Sequence, residues 1–154
     1  MSILNSIRAG LAFALLAAPA IAAPAEHPQT IAMEPFNGAY VIPVVLNDVL
    51  TEKFIVDSGS ADVSIPAGVA SALQKLGALT GADSLGSRTY MLADGSKVAS
   101  QIYRIASLKI GSMVVHDVTV RIAAENSHLL LGQSFLSRLK SWSVDNARQV
   151  MIFN

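Results

Sequence analysis

Short apolar runs rich in Val and Ile alternate with Gly, Asn, Asp and Ser along the chain from Tyr40 onward. Runs of this kind, bounded by turn-forming residues, are typical of β-strands. Two stretches break the pattern and are predicted as short helices. Pro66 is expected at the first helical position before residues 67–76, which end at Gly77, and residues 133–139 have a helical pattern of apolar positions. The sequence therefore predicts one mainly β domain with one or two short helices.

Dipeptides that favour tight turns divide the β region into hairpins. Asn47-Asp48 tolerates positive backbone φ angles, and Asp94-Gly95 is the strongest hairpin signal in the chain. Pro43 lacks a backbone N–H, so its strand is expected at a sheet edge or with a bulge. The predicted strand pairs are residues 40–46 with 49–57, 88–93 with 97–108, 97–108 with 113–122, and 142–144 with 150–153, and residues 78–87 are predicted as a loop.

The first 25 residues have the pattern of an export signal. Arg8 is their one charge, and an uncharged apolar stretch follows at residues 11–18. Ala20-Ile21-Ala22 matches a small-x-small cleavage site, and Ala23-Pro24-Ala25 is a second candidate. This apolar stretch is shorter than the ~20 residues that span a bilayer. A periplasmic or secreted protein without a stable membrane span is therefore expected. The predicted organisation is a cleaved signal peptide at 1–25, an N-terminal extension at 26–38 and a domain at 39–154.

Charge and cysteine content exclude several kinds of function. Residues 26–154 carry ten bases and eleven acids, a net charge of −1, without a Lys or Arg cluster, so no nucleic-acid partner is expected. The chain has no Cys, which excludes disulfides, thiolate zinc sites and Cys nucleophiles. His27, His116 and His128 lack the spacing of metal-binding pairs, so neither a metal nor a cofactor is expected.

The segment from Phe54 to Ser60 carries the strongest chemical signal. Three apolar residues lead a buried strand to Asp57, and Gly59 lets the chain turn sharply and bring its backbone near the carboxylate. A carboxylate in this position needs hydrogen bonds, and its natural donors are the Ser58 and Ser60 hydroxyls and the Gly59 amide. The alternative interpretation is an Asp that caps a structural turn.

This segment resembles the active-site turn of the retropepsin-type aspartic proteases, in which apolar residues precede Asp, Thr or Ser, Gly, and Ala, Ser or Thr. The second motif of that family, an apolar pair and Gly before a helix, is similar to Leu130-Leu131-Gly132, which ends 75 residues after Asp57. Residues 88–101 are similar to the family's flap hairpin, with Ala93-Asp94-Gly95 at the tip. The resemblance implies a single-lobe acid-protease β-barrel with a flap hairpin.

The resemblance also implies an activity and a partner. Aspartic proteases use two carboxylates, one ionised to take a proton from water and one protonated to donate to the scissile carbonyl. Because this chain has one Asp-Ser-Gly, the second carboxylate is expected from Asp57 of another copy in a homodimer, with Ser58 bonding across the dimer axis. The expected function is an aspartic endopeptidase that cleaves extended peptide or protein segments.

Several positions depart from the family pattern and leave alternatives open. Retroviral members often have Asp two residues after the motif Gly and Arg after the later Gly, where this chain has Ala61 and Gln133. Asp62 is expected either to face the cleft or to be an exposed turn residue. Two other functions are open: a catalytically inactive periplasmic domain that binds proteins or peptides, and a serine hydrolase centred on Ser134.

Overall fold

The computed structural model describes residues 28–154, and the expected signal peptide lies outside this part of the chain. The described residues are mainly strands, as the sequence predicted. The strands are β1 (Gln29–Ala32), β2 (Glu34–Phe36), β3 (Ala39–Leu46), β4 (Leu50–Val56), β5 (Val63–Pro66), β6 (Ser84–Met91), β7 (Lys97–Ile110), β8 (Met113–Ala123), β9 (Leu130–Leu131), β10 (Trp142–Asp145) and β11 (Val150–Phe153). The helices are α1 (Ala67–Lys75) and α2 (Gln133–Leu136), and one 3₁₀ turn covers Gly81–Asp83.

Six strands close on themselves to form a barrel. Their order around the ring is β3-β4-β9-β5-β8-β7, and β7 closes it by pairing with the end of β3 at Val45 and Leu46. The pairs β4–β9 and β5–β8 are parallel. Strand β2 continues the sheet beyond β3, and β6 continues it beyond β7. The predicted single-lobe β-barrel is therefore confirmed, with β6 outside the ring.

A second, three-stranded sheet joins the two ends of the described chain in the order β1-β11-β10. The predicted closing hairpin forms its β10–β11 part. Strands β1 and β2 lie in the stretch predicted only as an N-terminal extension. Their sequences lack a Val- and Ile-rich pattern, and their hydrogen bonds come from pairing with β11 and β3. Long-range pairing therefore forms strands that the local sequence does not predict.

The hairpin between β3 and β4 has the predicted turn. Asn47 and Asp48 have φ angles of 47° and 56°, so both central residues adopt the left-handed conformation that this short turn requires. On the side of β3 away from β4, pairing with β2 ends at Val41 and pairing with β7 begins at Val45. Pro43 lies between these two paired segments. The missing N–H of the proline therefore breaks no ladder.

Three boundaries differ from the prediction. Pro66 has ψ 155°, so it ends β5 and caps α1 instead of forming the first helical residue. Helix α2 ends at Leu136 because Arg138 and Leu139 then donate to carbonyls three residues back, which makes tight turns instead of α-helix. Strand β6 begins at Ser84 within the predicted loop, since β7 supplies a partner for this polar, exposed stretch.

The hydrophobic core is formed by buried apolar side chains from β3, β4, β5, β7, β8, β9 and β11 together with the two helices. Phe54 on β4 is fully buried, and it lies three residues before Asp57. Phe135 on α2 is also fully buried and belongs to the same cluster. The strand that leads to Asp57 is thus anchored in the closely packed core.

We expect Phe54→Ala to lower the free energy of unfolding by about 3–5 kcal/mol, because it removes a fully buried ring and leaves a cavity. Urea unfolding followed by Trp142 fluorescence measures this change. Val49→Ala is the control, since Val49 is 50% exposed and its loss should cost less than about 0.5 kcal/mol. Equal effects of the two variants would contradict this packing.

Candidate active site

Asp57 follows the last residue of β4 and is held by backbone on two sides. Its amide donates to the Leu131 carbonyl at 3.2 Å, which continues the β4–β9 ladder by one residue. Its Oδ1 accepts from the Gly59 amide at 2.9 Å. A Cβ at position 59 would lie 3.3 Å from that oxygen, so glycine lets the turn fold closely onto the carboxylate. The half-buried carboxylate is thus fixed in direction and open to solvent on its outer side.

The two serines of the turn make different contacts. The Ser60 amide donates to the Asp57 carbonyl at 3.2 Å and closes the turn. The Ser60 hydroxyl, expected to donate to the Asp57 carboxylate, donates at 2.8 Å to the Asp62 carbonyl, which lies closer along the turn. Ser58 is exposed, and its carbonyl accepts from Gln133 Nε2 at 2.8 Å. Within this turn the carboxylate is therefore oriented by the Gly59 amide.

The Leu130-Leu131-Gly132 motif lies directly against the turn. Strand β9 pairs in parallel with the end of β4, Ile55 with Leu130 and Val56 with Leu131. A Cβ on Gly132 would lie 2.3 Å from the Asp62 carbonyl oxygen and 2.8 Å from that of Ser60. Only glycine permits this approach, so the structure brings together the two motifs that are distant in sequence.

The start of α2 completes the support of the turn. The Gln133 amide donates to the Ser60 carbonyl at 2.8 Å, and the Ser134 amide donates to that of Ala61 at 3.0 Å. The Ser134 hydroxyl donates to the Thr119 carbonyl at 2.7 Å and accepts from the Val63 amide at 2.8 Å. Because this hydroxyl is engaged in both directions, it is a poor candidate for the nucleophile of a serine hydrolase.

Asp62 is neither in the open cleft nor an exposed turn residue. It is only 5% exposed, and its Oδ2 accepts from Arg88 Nη1 at 2.8 Å and from the Tyr90 hydroxyl. Burial and the bond to Asp62 raise the pKa of Tyr90 to about 12, so the phenol stays protonated and donates across the range in which carboxylates titrate. The Arg121 guanidinium carbon lies 5.0 Å from the centre of the Tyr90 ring.

The hairpin expected to be the flap is formed by β6 and the first part of β7, and we define the flap as residues 84–99. At its tip the Gly95 amide donates to the Leu92 carbonyl at 2.9 Å, and Gly95 has φ 82°, which glycine favours. Ala93 and Asp94 lie between them. The Ser96 hydroxyl and amide donate to Asp94 Oδ1 and hold the pKa of Asp94 below its usual range. The tip turn therefore keeps its carboxylate bonds in mildly acid solution.

A shallow cavity of about 140 Å³ lies on the face of β4 from which Asp57 projects. Ile55 lines it and is two residues before Asp57, so the two side chains point to the same side of the strand. Its lining is mainly apolar. The residues that surround it are Phe36, Val41, Lys53, Ile55, Ser127, His128 and Leu129.

The two histidines within the described residues make no hydrogen bond to Asp57. His116 is exposed, with its Nδ1 3.3 Å from the Ala106 carbonyl, and His128 packs edge-on against Phe36. His27 lies outside the described residues. Among residues 28–154, no three His, Asp or Glu side chains are grouped closely enough to hold a metal ion. In the same range, no helix has the length and apolar character needed to cross a bilayer.

The sequence did not predict the contacts that Arg88, Tyr90 and Gln133 make. Arg88 and Tyr90 are two residues apart on β6, so their side chains lie on the same face of the strand. Their partner Asp62 is 26 residues from Arg88 along the chain. Gln133 occupies the position at which retroviral members have Arg, and it bonds backbone instead of a carboxylate. Only the fold shows these contacts.

Comparisons with known proteins agree with this fold. The sequence profile of the family described as "gag-polyprotein putative aspartyl protease" matches residues 42–138, so this chain belongs to that family of retropepsin-like aspartyl proteases. The match runs from β3 to just beyond α2 and includes both motifs and the flap. Among curated protein sequences, none matches this chain.

A solved structure is similar to this chain over most of its length. It is the crystal structure of a retropepsin-like aspartic protease from Rickettsia conorii, with a TM-score of 0.60 and 26% sequence identity. The alignment covers 83% of this chain and 90% of that chain. The single-lobe barrel is thus shared with a retropepsin-like protein from a bacterium.

We expect Gly132→Ala to lower the free energy of unfolding by about 3 kcal/mol, because its methyl group would collide with the carbonyls of Ser60 and Asp62. Gly81→Ala is the matched control, since a Cβ there meets nothing within 4 Å. Urea unfolding should show a change below about 1 kcal/mol for Gly81→Ala. Similar stability of both variants would contradict the close contact between the two motifs.

Proposed function

We propose that this chain is an aspartic endopeptidase that works as a homodimer, in which two Asp57 carboxylates activate one water molecule. The observation that supports this most directly is the position of Asp57. Its carboxylate is fixed by the Gly59 amide at 2.9 Å, is half-buried at the end of a barrel strand, and bears no ion pair within the described residues. Such a group is available for proton transfer.

The reaction requires a second carboxylate close to the first. Two carboxyl groups that share one site cannot both ionise cheaply, so one takes a proton from water while the other donates to the scissile carbonyl, as the aspartic proteases illustrate. Asp62 is the other acid of this turn, and its Oδ2 is already bound by Arg88 and Tyr90. The second group in this proposal is therefore Asp57 of another copy.

The proposed substrate is a peptide or protein segment in extended conformation. An extended segment exposes backbone N–H and C=O groups that the flap backbone can pair with, in the manner of strand addition. The cavity beside Ile55 is mainly apolar and suits an apolar side chain near the scissile bond. The enzyme needs no cofactor in this mechanism, because both proton transfers use carboxyl groups.

The proposed location is the periplasm or the medium. The support is the N-terminal pattern, with Arg8, the apolar stretch at 11–18 and the small residues at 20–25. Export would deliver the protease domain to a compartment where its substrates are extracytoplasmic proteins. Cleavage after Ala25 would leave Glu26 at the new N-terminus, and cleavage after Ala22 would leave Ala23.

We expect Asp57→Asn to abolish cleavage of an unfolded protein substrate at mildly acid pH, with a loss of at least about 10³-fold, because the dyad loses its ionisable group. The protein should be produced from Glu26 onward and assayed by mass spectrometry of the products. Light scattering of the same sample should give the mass of a dimer.

Asp48→Asn is the matched control for this change. Asp48 is exposed and has φ 56° in a turn where Asn is equally suited, so activity should stay within about twofold. Equal activity of wild type and Asp57→Asn would contradict the proposed enzyme. A stable monomer that binds peptides without cleaving them would favour the inactive binding domain on the same fold.

We expect expression of the full chain in a bacterial host with the standard export pathway to yield a periplasmic or secreted product lacking residues 1–22 or 1–25. Intact-mass measurement of this product identifies the new N-terminus. Changing Leu15 and Leu16 to Arg should keep the protein in the cytoplasm at full length, because charge prevents the apolar stretch from acting as a signal. A full-length product of the unmodified chain would contradict cleavage.

A further inference from the structure

The flap has few attachments to the rest of the domain. Every residue from Ser84 to Ala99 is exposed except Tyr90, so the hairpin contributes almost nothing to the core. Strand β6 pairs with β7 alone. A register shift lies between Ser84 and Gly86, and Gly86 has φ 88°. Backbone pairing therefore holds the hairpin together, and contacts between β6 and the rest of the domain depend on side chains.

One group of side chains connects β6 to the catalytic turn, and we call Asp62, Arg88 and Tyr90 the flap latch. Arg88 and Tyr90 project from the same face of β6 and converge on one oxygen of Asp62. Arg88 is largely exposed, whereas the Asp62 side chain is only 7% exposed. A carboxylate in this position is stabilised by both donors and would be costly to leave unpaired.

The flap latch is braced from the barrel and from the turn. Arg121 of β8 lies over the Tyr90 ring at 5.0 Å, which adds a cation–π contact beneath the flap. The Asp62 carbonyl accepts from the Ser60 hydroxyl and lies against Gly132. The backbone that presents the latch carboxylate is therefore the same short turn that carries Asp57.

We propose that Asp62 is a positioning residue for catalysis, which holds the flap over the Asp57 carboxylate through Arg88 and Tyr90. This inference rests on the proposed function, because a flap matters to turnover only if the site cleaves peptides. Release of the flap latch frees β6 from the turn and lets the hairpin swing outward to admit substrate. Reforming it returns the flap to the position in which its backbone pairs with the bound segment.

The flap latch predicts a measurable change in the apparent affinity for substrate. When the binding-competent position of the flap is only partly populated, the apparent affinity for substrate falls by that fraction. Loss of a hydrogen bond between charged groups shifts such an equilibrium by roughly tenfold or more. Flap latch variants should therefore raise KM by about tenfold and change kcat by less than about threefold, since Asp57 and its Gly59 contact are untouched.

The first test measures flap motion and needs no activity. The chain has no Cys, so Ala93→Cys at the flap tip can carry a single nitroxide label. Adding Arg88→Gln or Tyr90→Phe should increase the mobile component of the spin-label spectrum, by about tenfold for Arg88→Gln. Both changes lie on a strand outside the barrel, and urea unfolding of each variant checks that the fold is kept. A label at Ser112→Cys, in the turn after β7, should report no change.

Matched controls separate the flap latch from general charge effects. Arg148→Gln removes an arginine whose side chain is 64% exposed and pairs with Asp145 at 3.8 Å. Neither residue of this pair is hydrogen-bonded to β6. It should leave both the label spectrum and KM unchanged. In a double-mutant cycle, Asp62→Asn should remove most of the effect of Arg88→Gln, because the two changes break the same bond.

The outcomes separate the two proposals. Unchanged tip mobility in Arg88→Gln and Tyr90→Phe would overturn the flap latch, whatever the activity of the protein. Increased mobility with an inactive wild type would support the flap latch as a contact and contradict the proposed protease. Increased mobility with kcat reduced and KM unchanged would overturn the role in substrate capture, since the variants would then act on the chemical step.

Discussion

The structure depends on a backbone contact between Gly132 and the turn at Ser60–Asp62. A side chain at position 132 would collide with two carbonyl oxygens of the turn, so the contact exists only because glycine is there. It brings β9 beside β4, places α2 so that its first amides bind the carbonyls of Ser60 and Ala61, and thereby fixes Asp57. The core, through Phe54 and Phe135, holds both partners of this contact in place.

The same turn holds two acids in two different environments. Asp57 accepts one backbone amide and stays open to solvent, whereas Asp62 is buried beneath the flap with Arg88 and Tyr90 as donors. The first environment leaves the carboxylate accessible to a substrate, and the second engages the carboxylate in the contact with the flap. Of the two acids in this turn, only Asp57 is open to a substrate, which is half of a two-carboxylate site and is why the proposed enzyme requires a second copy.

Much of this fold could be predicted from local sequence. The turn at Asn47-Asp48, the tip at Asp94-Gly95 and the two family motifs depend on residues that are neighbours along the chain, and the structure has the turns and strands at those places. Strands β1 and β2 and the start of β6 could not be predicted, because distant partners supply their hydrogen bonds. The bond from Arg88 to Asp62 could not be predicted for the same reason, because the local sequence around each residue does not show whether the two charges are buried together or exposed separately.

The central claim, that two copies of Asp57 share one site, is tested most directly by mixing wild-type and Asp57→Asn chains. The mixtures should be unfolded together, refolded at fixed total concentration, and assayed for peptide cleavage. If each active site needs two ionisable Asp57 residues, activity falls as the square of the wild-type fraction, to about a quarter in an equal mixture. Activity that falls in direct proportion to the wild-type fraction would contradict a shared site, because each chain would then act alone.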